Sequence, residues 1–169
     1  MSRASATTLS LLLILFAACA AQAASWRAYH NPRFGVSARI PPGWTENRPG
    51  PANGDGAAFT SPDKRGTISV SGIFSVSPIA DEFAERAKPD DGGVIAYSQR
   101  GPNWIIASWT KGDQIIYRKS IFACNTGVWN DLDIEYPVAD KARYDSIVKQ
   151  VAASLKASKG ADYLPSMCK

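Results

Sequence analysis

This sequence predicts an α+β fold: a mainly antiparallel β-sheet flanked by a short middle helix and a longer C-terminal helix. Three observations carry that expectation. Apolar residues alternate with polar ones through most of the central segments, the period of half-buried strands. Turn signals such as Gly101-Pro102, Gly112-Asp113 and Asn125-Thr126-Gly127 separate four of those segments by only a few residues, which suits antiparallel hairpins. The period then changes to that of a helix in two places, once mid-chain and once near the C-terminus.

The N-terminus reads as a secretory signal peptide over residues 1–23. Arg3 precedes an apolar run from Leu9 to Ala18, and Ala21-Gln22-Ala23 supplies a small-x-small cleavage site. The run is far shorter than the roughly 20 residues that span a bilayer, so no transmembrane segment is expected after processing. Lipoprotein processing at Cys19 competes, although a lipobox prefers Leu where Phe16 stands. Residues 24–169 are therefore expected to form one exported α+β domain, periplasmic or secreted, with lipid anchoring as the alternative.

Removal of residues 1–23 leaves 146 of the 169 residues, with 18 basic and 15 acidic side chains. That excess is small and scattered, so no nucleic acid is expected as partner. Of the three cysteines, Cys19 leaves or is lipidated, and Cys124 and Cys168 remain. An even pair in an oxidising compartment suggests a disulfide. It would close about 45 residues and contribute roughly 4 kcal/mol by chain entropy. Two free thiols are the alternative. With His30 as the single histidine, metal-ligand spacing is absent and neither a metal nor another cofactor is expected.

Along the exported chain, two short strands flank the Asn31-Pro32 turn, and Phe34, Val36, Ala38 and Ile40 alternate until Pro41-Pro42-Gly43 stops the second. "AAFTS" and "GTISVSGIFSV" follow as strands. "SPIADEFAERAKP" predicts the short helix, with Ser77 as N-cap, Pro78 at the first helical position, and Asp81 and Glu82 near the positive end of its dipole. "VIAYSQ", "WIIASWT", "QIIYRKSIFAC" and "VWNDLDIEY" are the four hairpin strands. In the last, Leu132, Ile134 and Tyr136 point one way, and Trp129, Asp131, Asp133 and Glu135 the other. "ADKARYDSIVKQVAASLKAS" places Tyr144, Ile147, Val148, Val151 and Leu155 on one helical face.

Asn53-Gly54-Asp55-Gly56 invites comparison with ion- and phosphate-binding loops. An EF-hand needs further alternating oxygen ligands and a later Glu, but Ala57 occupies the next position. A phosphate loop runs into a helix through Gly-Lys-Ser/Thr, whereas Gly56 leads into "AAFTS". Asn-Gly and Asp-Gly supply positive φ cheaply, so the stretch predicts a bend before a strand.

"YHNPRFGVSARIPPGW", "NGDGAAFTSPD", a strand ending in "VSG", and "LDIEYP" before a C-terminal helix together resemble a group of small exported bacterial proteins without assigned function. More distantly, the order of elements over residues 26–157 resembles the PsbP-like/Mog-like fold, an antiparallel sheet flanked by helices. That group includes extrinsic photosystem subunits, a Ran-binding factor and bacterial lipoproteins. The resemblance implies a docking role and carries no catalytic residue onto this chain.

The residues themselves offer few sites. No G-x-S-x-G elbow occurs, and His30 sits ahead of a Pro turn, so nucleophilic catalysis lacks a positioned base. Asp131, Asp133 and Glu135 share a strand face at about 7 Å spacing. They are a hydrolase's acid pair or, as expected here, carboxylates meeting water or basic neighbours such as Arg118 or Lys119. Trp129 lies on that charged face as a candidate binding residue that could stack on a ligand or anchor a protein; the favoured alternative is that the N-terminal segment or a long loop covers it. Trp104 and Trp109 have opposite parity, so one of them belongs to another face. The expectation is a non-enzymatic periplasmic binding or accessory module, using a sheet face or a groove beside a helix, with an envelope protein or small ligand as partner. A lipid-anchored envelope component or a hydrolase with an acidic pair are the alternatives.

Overall fold

The computed structural model describes residues 25–90 and 92–164. Residues 1–23, expected to be a signal peptide and including Cys19, and Cys168 lie outside the described residues. The strands are β1 (Arg27–His30), β2 (Ser37–Ile40), β3 (Thr45–Glu46), β4 (Gly56–Thr60), β5 (Thr67–Phe74), β6 (Val94–Arg100), β7 (Trp104–Lys111), β8 (Gln114–Ala123) and β9 (Val128–Pro137). The helices are α1 (Ile79–Arg86) and α2 (Lys141–Ser154), the latter entered through a 3-10 turn, Val138–Asp140. All pairings are antiparallel. β1 and β2 form a separate ribbon, and the other seven strands form one sheet in the order β3-β4-β5-β9-β8-β7-β6.

The register sorts the strand residues onto two faces. Ile68 lies opposite Ile134 and Val70 opposite Leu132, while Ile134 and Tyr136 lie opposite Tyr117 and Ile115. On this face the β1–β2 ribbon and α2 close the main core, where Val36, Ile40, Phe59, Tyr144 and Val151 are buried. Tyr144 stacks on Tyr136 with ring centroids 4.7 Å apart. Buried Tyr144, Val148, Val151 and Ala152 follow the spacing of one helical face. The helical periodicity reads on to Ser158, but α2 ends at Ser154 because the backbone of Lys156 pairs with Ser37, and Leu155 is already extended.

The Asn53–Gly56 stretch is a bend. Gly54 has φ 67°, its N–H donates to the Pro51 carbonyl at 3.0 Å, and Asn31 Nδ2 donates to its carbonyl at 2.9 Å. The loop is thereby tied to the β1–β2 turn, and Gly56 opens β4. Gly72 serves a different purpose: a Cβ there would lie 2.3 Å from Cβ of buried Phe34, so the absent side chain is what lets the β1–β2 turn reach β5.

Helix α1 covers the opposite sheet face, and a carboxylate holds it there. Sequence places Ser77 as N-cap; the structure instead has Pro78 in that position, with no side-chain cap. Glu82, 7 % exposed, substitutes for the cap. Its Oε1 accepts the backbone N–H of Val76 (2.8 Å) and Ser77 (3.0 Å), and its Oε2 accepts Ser75 Oγ–H (2.7 Å) and the Trp129 indole N–H. A hydroxyl at Ser77 could satisfy one donor, whereas the buried carboxylate satisfies four and bolts the helix entry to β9. Burial pushes the Glu82 carboxyl up, but the bonds from Ser75, Trp129 and the two backbone N–H groups outweigh it and hold it below its ordinary value of 4.5.

Two stability predictions follow from these contacts. Gly72→Ala drives a methyl into Phe34 and is expected to cost about 1–3 kcal/mol in urea unfolding. Glu82→Gln sets an amide NH2 against either the two backbone N–H groups or the Trp129 indole N–H and is expected to cost roughly 2–4 kcal/mol at pH 7. Because the folded carboxyl ionises more readily than the unfolded one, its contribution is present above pH 4.5 and is lost as pH falls through the folded value. The gap between the wild type and Glu82→Gln is therefore expected to narrow below pH 4.5, measured by urea unfolding across a pH series.

Candidate functional site

The face carrying the acids is occupied by its own counter-charges. Arg86 from α1 donates through Nε and Nη2 to the two Asp131 oxygens at 3.3 and 3.4 Å. Arg118 Nε donates to Asp133 Oδ1 at 2.8 Å, and its Nη2 to Asp90 Oδ2 at 3.0 Å. Glu135 is exposed. Burial opposes the Arg118 charge, and the carboxylates of Asp133 and Asp90 outweigh it, so the guanidinium is held more firmly protonated than usual. Asp131 and Asp133 are thus each paired with a separate arginine, and Asp133, Glu135 and Asp90 share with Arg118 a shallow cleft of about 310 Å³ on this face. Of the two basic neighbours read from sequence, Arg118 meets the acids. Lys119 does not: successive strand residues point to opposite faces. Its Nζ crosses to the α2 side and donates to the Ala152 carbonyl at 2.7 Å, and burial lowers its pKa.

Trp129 lies on the acid face as its parity requires, but it is 0 % exposed and offers no surface for stacking. This corrects its standing as a binding candidate. The cover is α1, and not the N-terminal segment or a long loop. Phe83 meets the indole edge-on at 4.9 Å, Phe122 lies 5.2 Å away, and the Arg86 guanidinium caps the ring at 4.0 Å. Trp109 is buried on the same face beneath Arg118, whereas Trp104 is half-buried on the other, beside Ile106 and Ile121. Among the described residues, no three His, Cys, Asp or Glu side chains cluster as metal ligands.

A wider opening lies on the α2 side, toward β6. There the sheet extends past the helix and leaves a groove of about 610 Å³, bounded by Ile115, Tyr117 and Tyr136 from the sheet, Val138, and Val148 and Lys149 from α2. Tyr117 is half-buried, and its hydroxyl pKa is raised by burial and then by Tyr97 and Tyr136. Beyond it Tyr97 is 49 % and Val94 70 % exposed. Every residue of β6 is exposed, and among the described residues β6 pairs with β7 alone, so its outer backbone edge is open. A bulge between Ile95 and Tyr97 interrupts that edge. Sequence reading missed this patch because Tyr97 and Tyr117 alternate like core residues; their exposure depends on how far across the sheet α2 reaches.

No protein-family model matches the chain, and no curated sequence matches it at significance. Solved structures do match in shape. The solution structure of cyanobacterial PsbP (CyanoP) from Synechocystis sp. PCC 6803 superposes with a TM-score of 0.60 at 14 % identity, covering 85 % of this chain and 99 % of that one. The crystal structure of the Saccharomyces cerevisiae Ran-binding protein Mog1p gives a TM-score of 0.55 at 8 % identity, covering 80 % and 97 %. The chain therefore has the PsbP/Mog-like α+β fold that its order of strands and helices resembles.

Proposed function

We propose that this protein is an exported, non-catalytic docking module that holds a protein partner on the open end of its sheet. The observation that carries this reading is the apolar, aromatic groove between α2 and β6–β8, continuous with an exposed strand edge. Exposed Val94, Tyr97 and Val138 supply apolar area, and interfaces draw most of their energy from a few such anchors. The free edge of β6 supplies main-chain donors and acceptors of the kind an added strand uses. The protein named Ran-binding among the structural matches supports a protein partner as the kind of ligand this fold can serve. The pairing of Asp131 and Asp133 with arginines speaks against a hydrolase.

The reading also assigns export through residues 1–23, maturation after Ala23, and a Cys124–Cys168 disulfide. Support for the disulfide comes from the end of the described chain: the Leu164 N–H donates to the Thr126 carbonyl at 2.6 Å. Thr126 is two residues from Cys124, and the four residues from Leu164 to Cys168 can span up to about 14 Å, which brings the two sulfurs within reach.

A photo-crosslinking residue at Tyr97, expressed in the periplasm, is expected to trap one discrete protein adduct that the same residue at Lys64 does not. Tyr97→Asp with Val94→Asp is expected to abolish co-purification of that protein, and equal trapping at both positions overturns the assignment. Intact-mass analysis of the mature protein is expected to find Ala24 at the N-terminus and both cysteines closed to alkylation until reduced. A diacylglycerol-modified Cys19 at the N-terminus would instead establish the lipid-anchored form.

A further inference from the structure

On the other side of α2, where the helix meets the β1–β2 ribbon, lies a second concavity of about 430 Å³. Trp26, Arg39, Gln150, Ser154 and Lys156 line it together with Ser37. Its two cations are placed by backbone pairing. The N–H of Ser37 donates to the Lys156 carbonyl at 3.0 Å, and the N–H of Lys156 returns to the Ser37 carbonyl at 2.9 Å. Residues opposed in an antiparallel bridge share a face, as do residues two apart on one strand. Lys156, Ser37 and Arg39 therefore point the same way.

No carboxylate lines the groove. Among the described residues neither Arg39 nor Lys156 forms an ion pair. The C-terminal end of α2 is a source of negative potential, yet two of its last carbonyls already have donors. Lys119 takes the Ala152 carbonyl at 2.7 Å, and Ser154 Oγ takes the Val151 carbonyl at 2.7 Å while accepting the Arg39 N–H at 2.8 Å. Most other arginines of this protein are matched to acids, including Arg33, Arg48, Arg65, Arg86, Arg118 and Arg143. In this groove two like charges face one concavity with no carboxylate in its lining, an arrangement that is unfavourable until an anion enters. The Arg39 guanidinium lies 5.6 Å from the centroid of the Trp26 ring, which adds a flat apolar wall beside the charge.

We propose that this groove binds a small organic anion with a planar apolar body. Its anionic head sits between Arg39 and Lys156, its body lies along Trp26, and the Gln150 amide adds a polar contact. The site is separate from the docking surface, since α2 stands between them.

Heteronuclear NMR titration of the mature protein with naphthalene-2-sulfonate tests the assignment, with uncharged 2-naphthol as comparison. Saturable shifts are expected at the Trp26, Arg39 and Ser154 amides, with affinity falling as sodium chloride is raised. The double substitution Arg39→Gln, Lys156→Gln is expected to weaken binding by about fivefold or more while leaving the remaining spectrum in place. Trp26→Ala, which keeps both charges, is expected to weaken it as well. Equal binding of 2-naphthol, undiminished binding by the double variant, or shifts confined to Tyr97 and Tyr117 would overturn the proposal.

Discussion

The width of a helix set against the width of a sheet governs this molecule. Seven strands at about 4.8 Å spacing make a layer close to 30 Å across, and a single helix is about 10 Å wide. On the core side, α2 and the β1–β2 ribbon lie side by side over the β4-β5-β9 end and reach β8 through Ile115, Tyr117 and Ile121. They cannot also cover β7 and β6. The central strands can therefore carry unbroken apolar rows, such as Ile68–Ile134 and Val70–Leu132, with every one of those side chains at 0 % exposure. On this face the terminal β6–β7 hairpin keeps apolar residues of its own, and Val94, Tyr97, Trp104 and Ile106 remain in contact with solvent.

The opposite face solves its covering problem with charge. Helix α1 is only eight residues long and buries Phe83 as its main apolar anchor. It holds position through Glu82, bonded to four donors, and through Arg86, which lies between the Trp129 ring and Asp131. Farther along, Arg118 plays the matching part between Trp109 and Asp133. Tryptophan, arginine and carboxylate repeat as a layered unit: the cation shields the ring and neutralises the acid. Asp131 and Asp133 of β9 thus serve the packing of this face as partners of the two arginines, while Glu135 stays exposed. Local matching of this kind is missing from the groove that Arg39 and Lys156 share, where no carboxylate joins the lining.

Much of the fold is legible along the chain because strand alternation and turn residues are local signals. The alternation of Leu132, Ile134 and Tyr136 against Trp129, Asp131 and Asp133 gives both faces of β9, and the period from Tyr144 to Val151 gives the buried side of α2. Contacts between distant segments were less readable. Nothing near Trp129 in sequence says that residues 82–86 cover it. The replacement of a Ser77 cap by Glu82 depends on a tertiary bond to β9, and Thr45–Glu46 is too short to show a period. The early end of α2 has the same origin, since it goes with the pairing of Ser37 and Lys156. The open groove was invisible for a related reason: parity tells which residues share a face, and only the reach of the cover decides which of them stay buried.

Residue-resolved amide hydrogen exchange on the isolated protein tests this asymmetry most directly. The expected result is that β5, β9 and β8 exchange only through global unfolding, while every second amide of β6 exchanges rapidly from an open edge. Uniform slow exchange along β6, equal to that of the central strands, would mean that the end of the sheet is covered and would contradict the account.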